Sequence, residues 1–331
     1  MSNLDLNQQS VYQYFLALDH IDAKDVNAIS GSLIYGTPAL TATAGFVHNL
    51  NRQIQTLPES ALGVAVNLKK IQLEGFMVIA HQCEPKIYRE HSGQDYTFLL
   101  KKAPLTRSGA NPPIIEEGRL DYLSSLVVRF KTSELLSKDQ QEALGRAIKN
   151  LIPTLRLAGG TIASIRGAWI FNHNDLVGRE ILQKIGFGYV LLSQEKLLEQ
   201  LVMEGDGSEA LEGSETQKDG LDYLLDTARI YYHPPKDEHS RWTIRTLQQG
   251  RGWLVPLMVG YQAISDVIAP GELENIRNPE YESQFVESIY SLGKWVLTYR
   301  LLNDPNQKLE QLFWNVSTSD ELYLVEQAFE D

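Results

Sequence analysis

The chain has 331 residues, 43% of them hydrophobic, and a formal net charge of −12. A single cysteine, Cys83, excludes a disulfide framework and a Cys-rich zinc site, and points to a reducing, cytoplasmic setting. No run of about 18 apolar residues is present, which argues against a membrane helix, and the opening "MSNLDLNQQSVYQYF" carries no secretory signal pattern.

The acid is concentrated. Glu204 to Asp222 holds seven acids and one Lys, and Asp304 to Asp331 again seven acids and one Lys, so those two segments account for the whole −12. The neutral remainder can carry a basic face, the kind of surface that meets phosphates.

In chain order, "VYQYFLAL" (11–18) reads as a buried strand. Thr37 and Pro38 suit an N-cap and first helical position, and Ala39, Ala42, Phe46, Leu50 and Ile54 form one helix face. "GFMVIAHQ" (75–82) and "DYLSSLVVRF" (121–130) predict two more strands. Residues 137–157 predict a helix with a capping box at Ser137 and Gln140, an apolar stripe through Leu144, Ala147, Ile148, Leu151 and Leu155, and a kink at Pro153. "TIASIRGAWIF" follows as a fourth strand. The order strand, helix, strand, insert, strand, helix, strand predicts an α+β fold with a ferredoxin-like or RRM-like core, one sheet face covered by helices.

The insert, 83–120, predicts an extended hairpin with a long tip. Residues 1–200 are thus expected to form the core with this insert, and 201–222 an acidic flexible loop. Residues 223–331 should add C-terminal strands and a helix packed on the core. There "ARIYYH" and "WLVPLMVGYQAIS" read as strands, and 278–302 as a helix burying Phe285, Ile289, Leu292, Trp295 and Val296.

Three features point to chemistry. Gly159 and Gly160 sit between helix and strand: one is expected to end the helix, and the pair to admit another backbone. The pair is no phosphate loop, because no Gly-Lys-Ser/Thr follows it. Lys86 to Arg107 has five cations against two acids, with Tyr88 and Tyr96 among them, a pattern suited to nucleic acid or to a solvated hairpin. Arg241, Arg245 and Arg251 with Trp242 and Trp253 suit single-stranded RNA or a protein interface. No hydrolase or metalloprotease motif is present, and the seven His are scattered. "FNHND" (171–175) reads as a polar turn, and a metal-free ribonuclease would draw on His20, His48 and Tyr35.

"NAISGSLIYGTPALTATAGFVHNLNRQ" (27–53) and "RLAGGTI" resemble the 5′-handle-binding Csy subunit of type I-F CRISPR surveillance complexes, a Cas-five-like branch of the RAMP superfamily. "IIEEGRLDYLSSLVV", "GRGWLVPLMVGYQAIS" and "FVESIYSLGKW" resemble further segments in the same order. The acidic loop 204–222 matches no part of the family's pattern.

The resemblance implies a non-catalytic subunit without cofactor or metal. Its partners would be the CRISPR RNA (crRNA) 5′ handle, the large Csy subunit as a heterodimer, and the adjacent backbone subunit, with target DNA met only through the assembled complex and no membrane role. The insert 83–120 falls where the family has its β-hairpin thumb, and the expected RNA contacts are Ser30, Tyr35 and Gly36; Arg89, Lys101, Lys102 and Arg107 of the thumb; Gly159 and Gly160; and Arg251 and Trp253, shared between RNA and partner. Two alternatives stay open: a metal-independent ribonuclease acting on precursor RNA, and a scaffold that touches RNA only incidentally.

Overall fold

The computed structural model describes residues 11–102, 104–112, 114–174, 176–205, 218–235, 241–304 and 308–327. They form a mixed α+β fold with six α-helices and a large antiparallel sheet. The chain divides into two compact units, one of residues 1–190, 297–315 and 328–331, the other of 191–296 and 316–327.

In the first unit, β1 (Tyr12–Asn27) is far longer than the apolar run that announces it. Irregularities between Leu18 and Ile21 and between Ala23 and Val26 let it continue through His20 and Asp25, both at positive φ. A small hairpin, β2 (Ile29–Gly31) and β3 (Ile34–Tyr35), precedes α1 (Leu40–Gln55). Ala39, not Thr37, is the N-cap of α1, and no side chain caps it.

Next come β4 (Gln72–Pro85) and the thumb strands β5 (Ile87–Tyr88), β6 (Thr97–Lys102) and β7 (Ile114–Glu117). β8 (Arg119–Thr132) and α2 (Lys138–Leu151) follow. The capping box of α2 is as the spacing predicts: Gln140 N–H donates to Ser137 Oγ, and the Ser137 amide donates to Gln140 Oε1 at 2.8 Å. The helix stops at Leu151 and tightens into a 3-10 turn, Ile152–Thr154, because Pro153 has no amide to continue it.

β9 (Arg156–Leu157) and β10 (Gly160–Asn172) form a hairpin, and α3 (Val177–Ile185) leads to β11 (Tyr189–Ser193). The strands of this unit run β11–β4–β8–β1–β10–β9, antiparallel throughout. Phe15, Leu16, Leu18, Ile21, Phe76, Met77, Ile79, Val127 and Val128 are fully or almost fully buried and make the core with Leu50 and Ile54 of α1 and Leu144 and Ile148 of α2.

The second unit holds α4 (Glu195–Glu204), α5 (Gly220–Asp226), β12 (Tyr231–His233), β13 (Thr243–Arg245), β14 (Trp253–Ala263) and β15 (Val286–Leu297). Leu201, Tyr223, Leu224, Leu247, Leu254 and Leu292 form its core. Residues 201–204 and 220–222 of the expected acidic loop are helical, and 206–217 lie outside the described residues.

The helix expected over 278–302 is instead β15, followed by the one-turn α6 (Thr298–Leu302). Phe285, Ile289, Leu292 and Val296 have helical spacing, but the segment pairs antiparallel with β14, Trp253 opposite Trp295, and that pairing decides the conformation. β16 (Trp314–Thr318) sets Trp314 opposite Phe76 of β4 in the first unit, and β17 (Leu322–Gln327) pairs with β14 in the second.

Candidate nucleic-acid interface

Three segments meet at one end of the first unit's sheet. The step Asn27–Ala28, where β1 ends, joins them: Asn27 N–H donates to Ala158 O at 2.9 Å, Ala28 N–H to Gly118 O at 3.0 Å, and Gly36 N–H to Ala28 O at 2.9 Å. Lys86 N–H donates to Arg119 O at 2.8 Å and closes the thumb base. The β2–β3 hairpin carrying Ser30, Tyr35 and Gly36 therefore lies between the thumb base and the glycine turn. Tyr35 packs on Phe98 of β6 with ring centroids 4.8 Å apart. Gly118 lets the Ile29 side chain lie close, since a Cβ on it would be 2.6 Å from Ile29 Cγ1.

The glycine pair does not end a helix, since α2 stops at Leu151. Ala158 and Gly159 are the two central residues of the β9–β10 hairpin, with φ of 46° and 77°, the double positive φ of a type I′ turn. Gly160 is glycine for another reason: a Cβ there would lie 2.5 Å from Lys24 O and 2.8 Å from Val26 N. The backbone that approaches Gly160 is the chain's own β1. Gly159 by contrast faces open space, its nearest neighbour being Arg119 Nη1 at 3.8 Å from a built Cβ. Beside it a cleft of about 400 Å³ opens between the turn, Arg156 and the small residues Ala42 and Gly45 of α1.

Charge at this end is held in a lattice. Lys86 bridges Asp25 at 3.2 Å and Asp121 at 3.0 Å, and Lys24 bridges Asp22 at 2.9 Å. Burial works to raise the Asp121 carboxyl, but the Asp25 amide and the Lys86 ammonium hold it below its usual range. Arg119 donates to Glu117 and to Asp25 O, and Arg156 Nη1 to Gly159 O at 3.3 Å. These cations are already oriented around the open turn.

On the thumb, Arg89 stacks over the Tyr96 ring at 4.5 Å, and both are exposed. Lys101 and Lys102 stand on β6 opposite Ile115 and Ile114. Arg107 is exposed in the turn closed by Gly109 N–H donating to Thr106 O. Ser30 is buried, Tyr35 and Gly36 are partly open, and burial lifts the Tyr35 phenol above its ordinary value. Arg251 and Trp253 belong to the second unit, where Arg251 Nη1 donates to Leu247 O and Trp253, half exposed, packs on Trp295 at 6.5 Å.

The three residues a ribonuclease would recruit are not brought together. Tyr35 lies against Phe98, His48 is exposed on α1, and His20 stacks on His81 at 3.8 Å. His20 belongs to a cluster that sequence patterns did not reveal. Fully buried Asp19 accepts from Arg166 and from His20 Nδ1. Arg166 Nη2 also donates to Ile185 O at 3.1 Å, which caps the C-terminus of α3. His81 Nδ1 donates to Phe187 O at 2.6 Å, so its Nε2 accepts from Ser125 Oγ at 2.7 Å. Burial pushes His81 down to about 4, leaving it neutral. The cluster ties α3 and the start of β11 to the sheet. Its only sequence sign is polar residues inside four apolar strands. In "FNHND", Asn174 Oδ1 accepts from Leu176 N–H at the start of α3, and His173 packs on Phe15.

The family described as CRISPR-associated protein (Cas_Csy2) matches residues 16–325. The CRISPR-associated protein Csy2 of Pseudomonas aeruginosa (strain UCBPP-PA14) is 30% identical over 324 residues, 90% of this chain and 90% of that protein.

Proposed function

The chain belongs to the Csy2 family of CRISPR-associated proteins, and from that premise we propose that it is a non-catalytic subunit of a type I-F surveillance complex that holds the 5′ handle of the crRNA. The observation that carries this reading is the convergence of the β2–β3 hairpin, the thumb base and the open Gly159 turn on the single step Asn27–Ala28. A single strand laid there meets exposed backbone at Gly159, the aromatic Tyr35, and the cations Arg119 and Arg156. Phosphate contacts set its position, and stacking and base-edge bonds read it. Arg89, Lys101, Lys102 and Arg107 of the thumb are its proposed phosphate contacts.

The four-strand order β4–β8–β1–β10, with one helix linking each crossover, supports a ferredoxin-like or RRM-like core of the RAMP kind. The same reading gives the large Csy subunit and the neighbouring backbone subunit as protein partners, with target DNA reached through the assembled cytoplasmic complex. Among the described residues no helix is long and apolar enough to cross a membrane.

Filter binding of handle RNA to the heterodimer with the large subunit tests the proposal. Replacing Lys101, Lys102 and Arg107 together by Ala should weaken binding and lower the magnitude of its salt slope by about 2, at roughly 0.7 per single-strand phosphate contact. Unchanged affinity and slope would remove the thumb from the site.

A further inference from the structure

A second cationic groove lies on the same unit, away from the thumb. α2 lies over β10 at contact distance, since a Cβ on Gly145 would be 2.6 Å from Ala168 O. A groove of about 600 Å³ runs between them. Its helical wall is the stripe Lys138, Glu142, Arg146 and Lys149, three cations and one acid, all exposed. Arg146 and Glu142 are 3.7 Å apart and both largely exposed, a pairing of little strength. Lys138 and Lys149 enter no ion pair among the described residues. On the floor, Trp169 packs on Gly167, where a built Cβ would meet ring carbons at 2.4 to 2.8 Å. The Trp169 ring carries Lys184 Nζ at 4.4 Å from its centroid. Lys184 does not itself line the groove, but this cation–π contact places a further positive charge against its floor residue.

Two further facts agree with an anionic occupant. β9 covers only Gly160 and Thr161 of β10, so the outer edge of the rest of that strand is unpaired among the described residues and offers backbone N–H groups. Charge is also segregated along the chain: residues 1–190 carry 19 Lys and Arg against 17 Asp and Glu, net +2, while 191–331 carry 11 against 25, net −14. The basic groove lies in the basic part.

We infer that this groove binds a stretch of nucleic-acid phosphodiester backbone other than the handle. The distance supports a separate contact: Gly160 and Gly167 are about 23 Å apart along β10 at the strand's rise. Lys138 and Lys149 span about 16 Å of helix, room for several successive phosphates. The occupant is either the guide RNA beyond its handle or a target DNA strand, and the same chemistry serves both.

The test uses the full chain and fluorescence anisotropy with three labelled probes: a 20-nucleotide oligouridine RNA, the matching oligo-dT DNA and a 20-base-pair DNA duplex, each at 50 and 200 mM salt. The variant is K138Q/R146Q/K149Q, whose exposed positions leave the core untouched, with a melting curve as the check on folding. Three lost contacts on a single strand predict that wild-type affinity falls about 20-fold more than the variant's across this salt range. K138R/K149R, which keeps the charge, should bind as wild type. Loss confined to RNA identifies the guide, and loss on either DNA probe the target strand; both support the inference. A triple variant that binds all three probes with wild-type affinity and slope overturns it. So does a polyglutamate peptide that loses binding in the variant while the nucleic acids do not, which would make the groove a protein-docking surface. Arg89→Ala/Arg107→Ala should leave the groove's share of the slope intact, so failure here and failure of the handle reading are separable.

Discussion

The distinction between the two adjacent glycines can be tested on stability alone. In Gly160→Ala the new Cβ would lie 2.5 Å from Lys24 O and 2.8 Å from Val26 N, both backbone atoms of a strand held on its two sides by β8 and β10. Neither can swing aside as a side chain would. Relief requires β10 and β1 to separate at their ends, breaking the pairing of Thr161 with Lys24. Overpacking of this kind costs about 1–3 kcal/mol. For a unit near 200 residues, 2 kcal/mol corresponds to a melting temperature about 4–8 °C lower. Gly159→Asn is the control, because Asn tolerates the left-handed φ of 77° and nothing lies within 3.8 Å of the added Cβ. Calorimetry or thermal circular dichroism on the two variants decides. A Gly160→Ala protein that melts within 1 °C of wild type on the scale of about 1 kcal/mol per 2–4 °C would refute the claim that β1 requires this glycine.

Other consequences follow from the buried cluster and from the second unit. His81 has an ordinary value of 6.5 and is held at about 4 mainly by burial, so folding favours its neutral form. Its contribution is complete above about 6.5 and is lost as pH falls toward about 4. The stability difference between wild type and His81→Gln, followed by denaturant melts from pH 7 to pH 4, should shrink across that window, and a constant difference would contradict it. Asp19→Ala leaves Arg166 and His20 without their common acceptor and should cost about 3 kcal/mol in urea unfolding. In the second unit, Trp253→Ala removes the contact with Trp295 and should cost about 1 kcal/mol in denaturant melts, near-ultraviolet circular dichroism losing the coupled Trp signal.

Much of the first unit was legible because its signals are local. Apolar runs marked the strands β1, β4, β8 and β10, and Ser137 with Gln140 marked the start of α2, since a capping box is complete within four residues. The thumb was legible from its alternation and its breakers. What escaped depends on partners remote in sequence. β15 has helical spacing at Phe285, Ile289 and Leu292, and only pairing with β14, some thirty residues earlier, makes it a strand. The Asp19 cluster draws on residues up to 147 positions apart. Gly160 read as room for an outside backbone, whereas the space is taken by Lys24 and Val26. Of the proposed site, Ser30, Tyr35, Gly36 and Gly159 were suggested by the chain, though not the hairpin turn in which Gly159 sits. Arg119, Arg156 and Gly118 could not, because their meaning comes from neighbours that only the fold supplies.

The central claim is that the handle lies across the Asn27–Ala28 step, between the thumb base and the Gly159 turn. The most direct measurement is photocrosslinking of a crRNA carrying 4-thiouridine within the 5′ handle, in the complex purified with its partners, followed by peptide mapping. The account predicts adducts in 27–36, in the thumb 86–119, and in 156–160. Handle adducts confined to α2, to α3 or to the second unit, with those three segments clean, would contradict it.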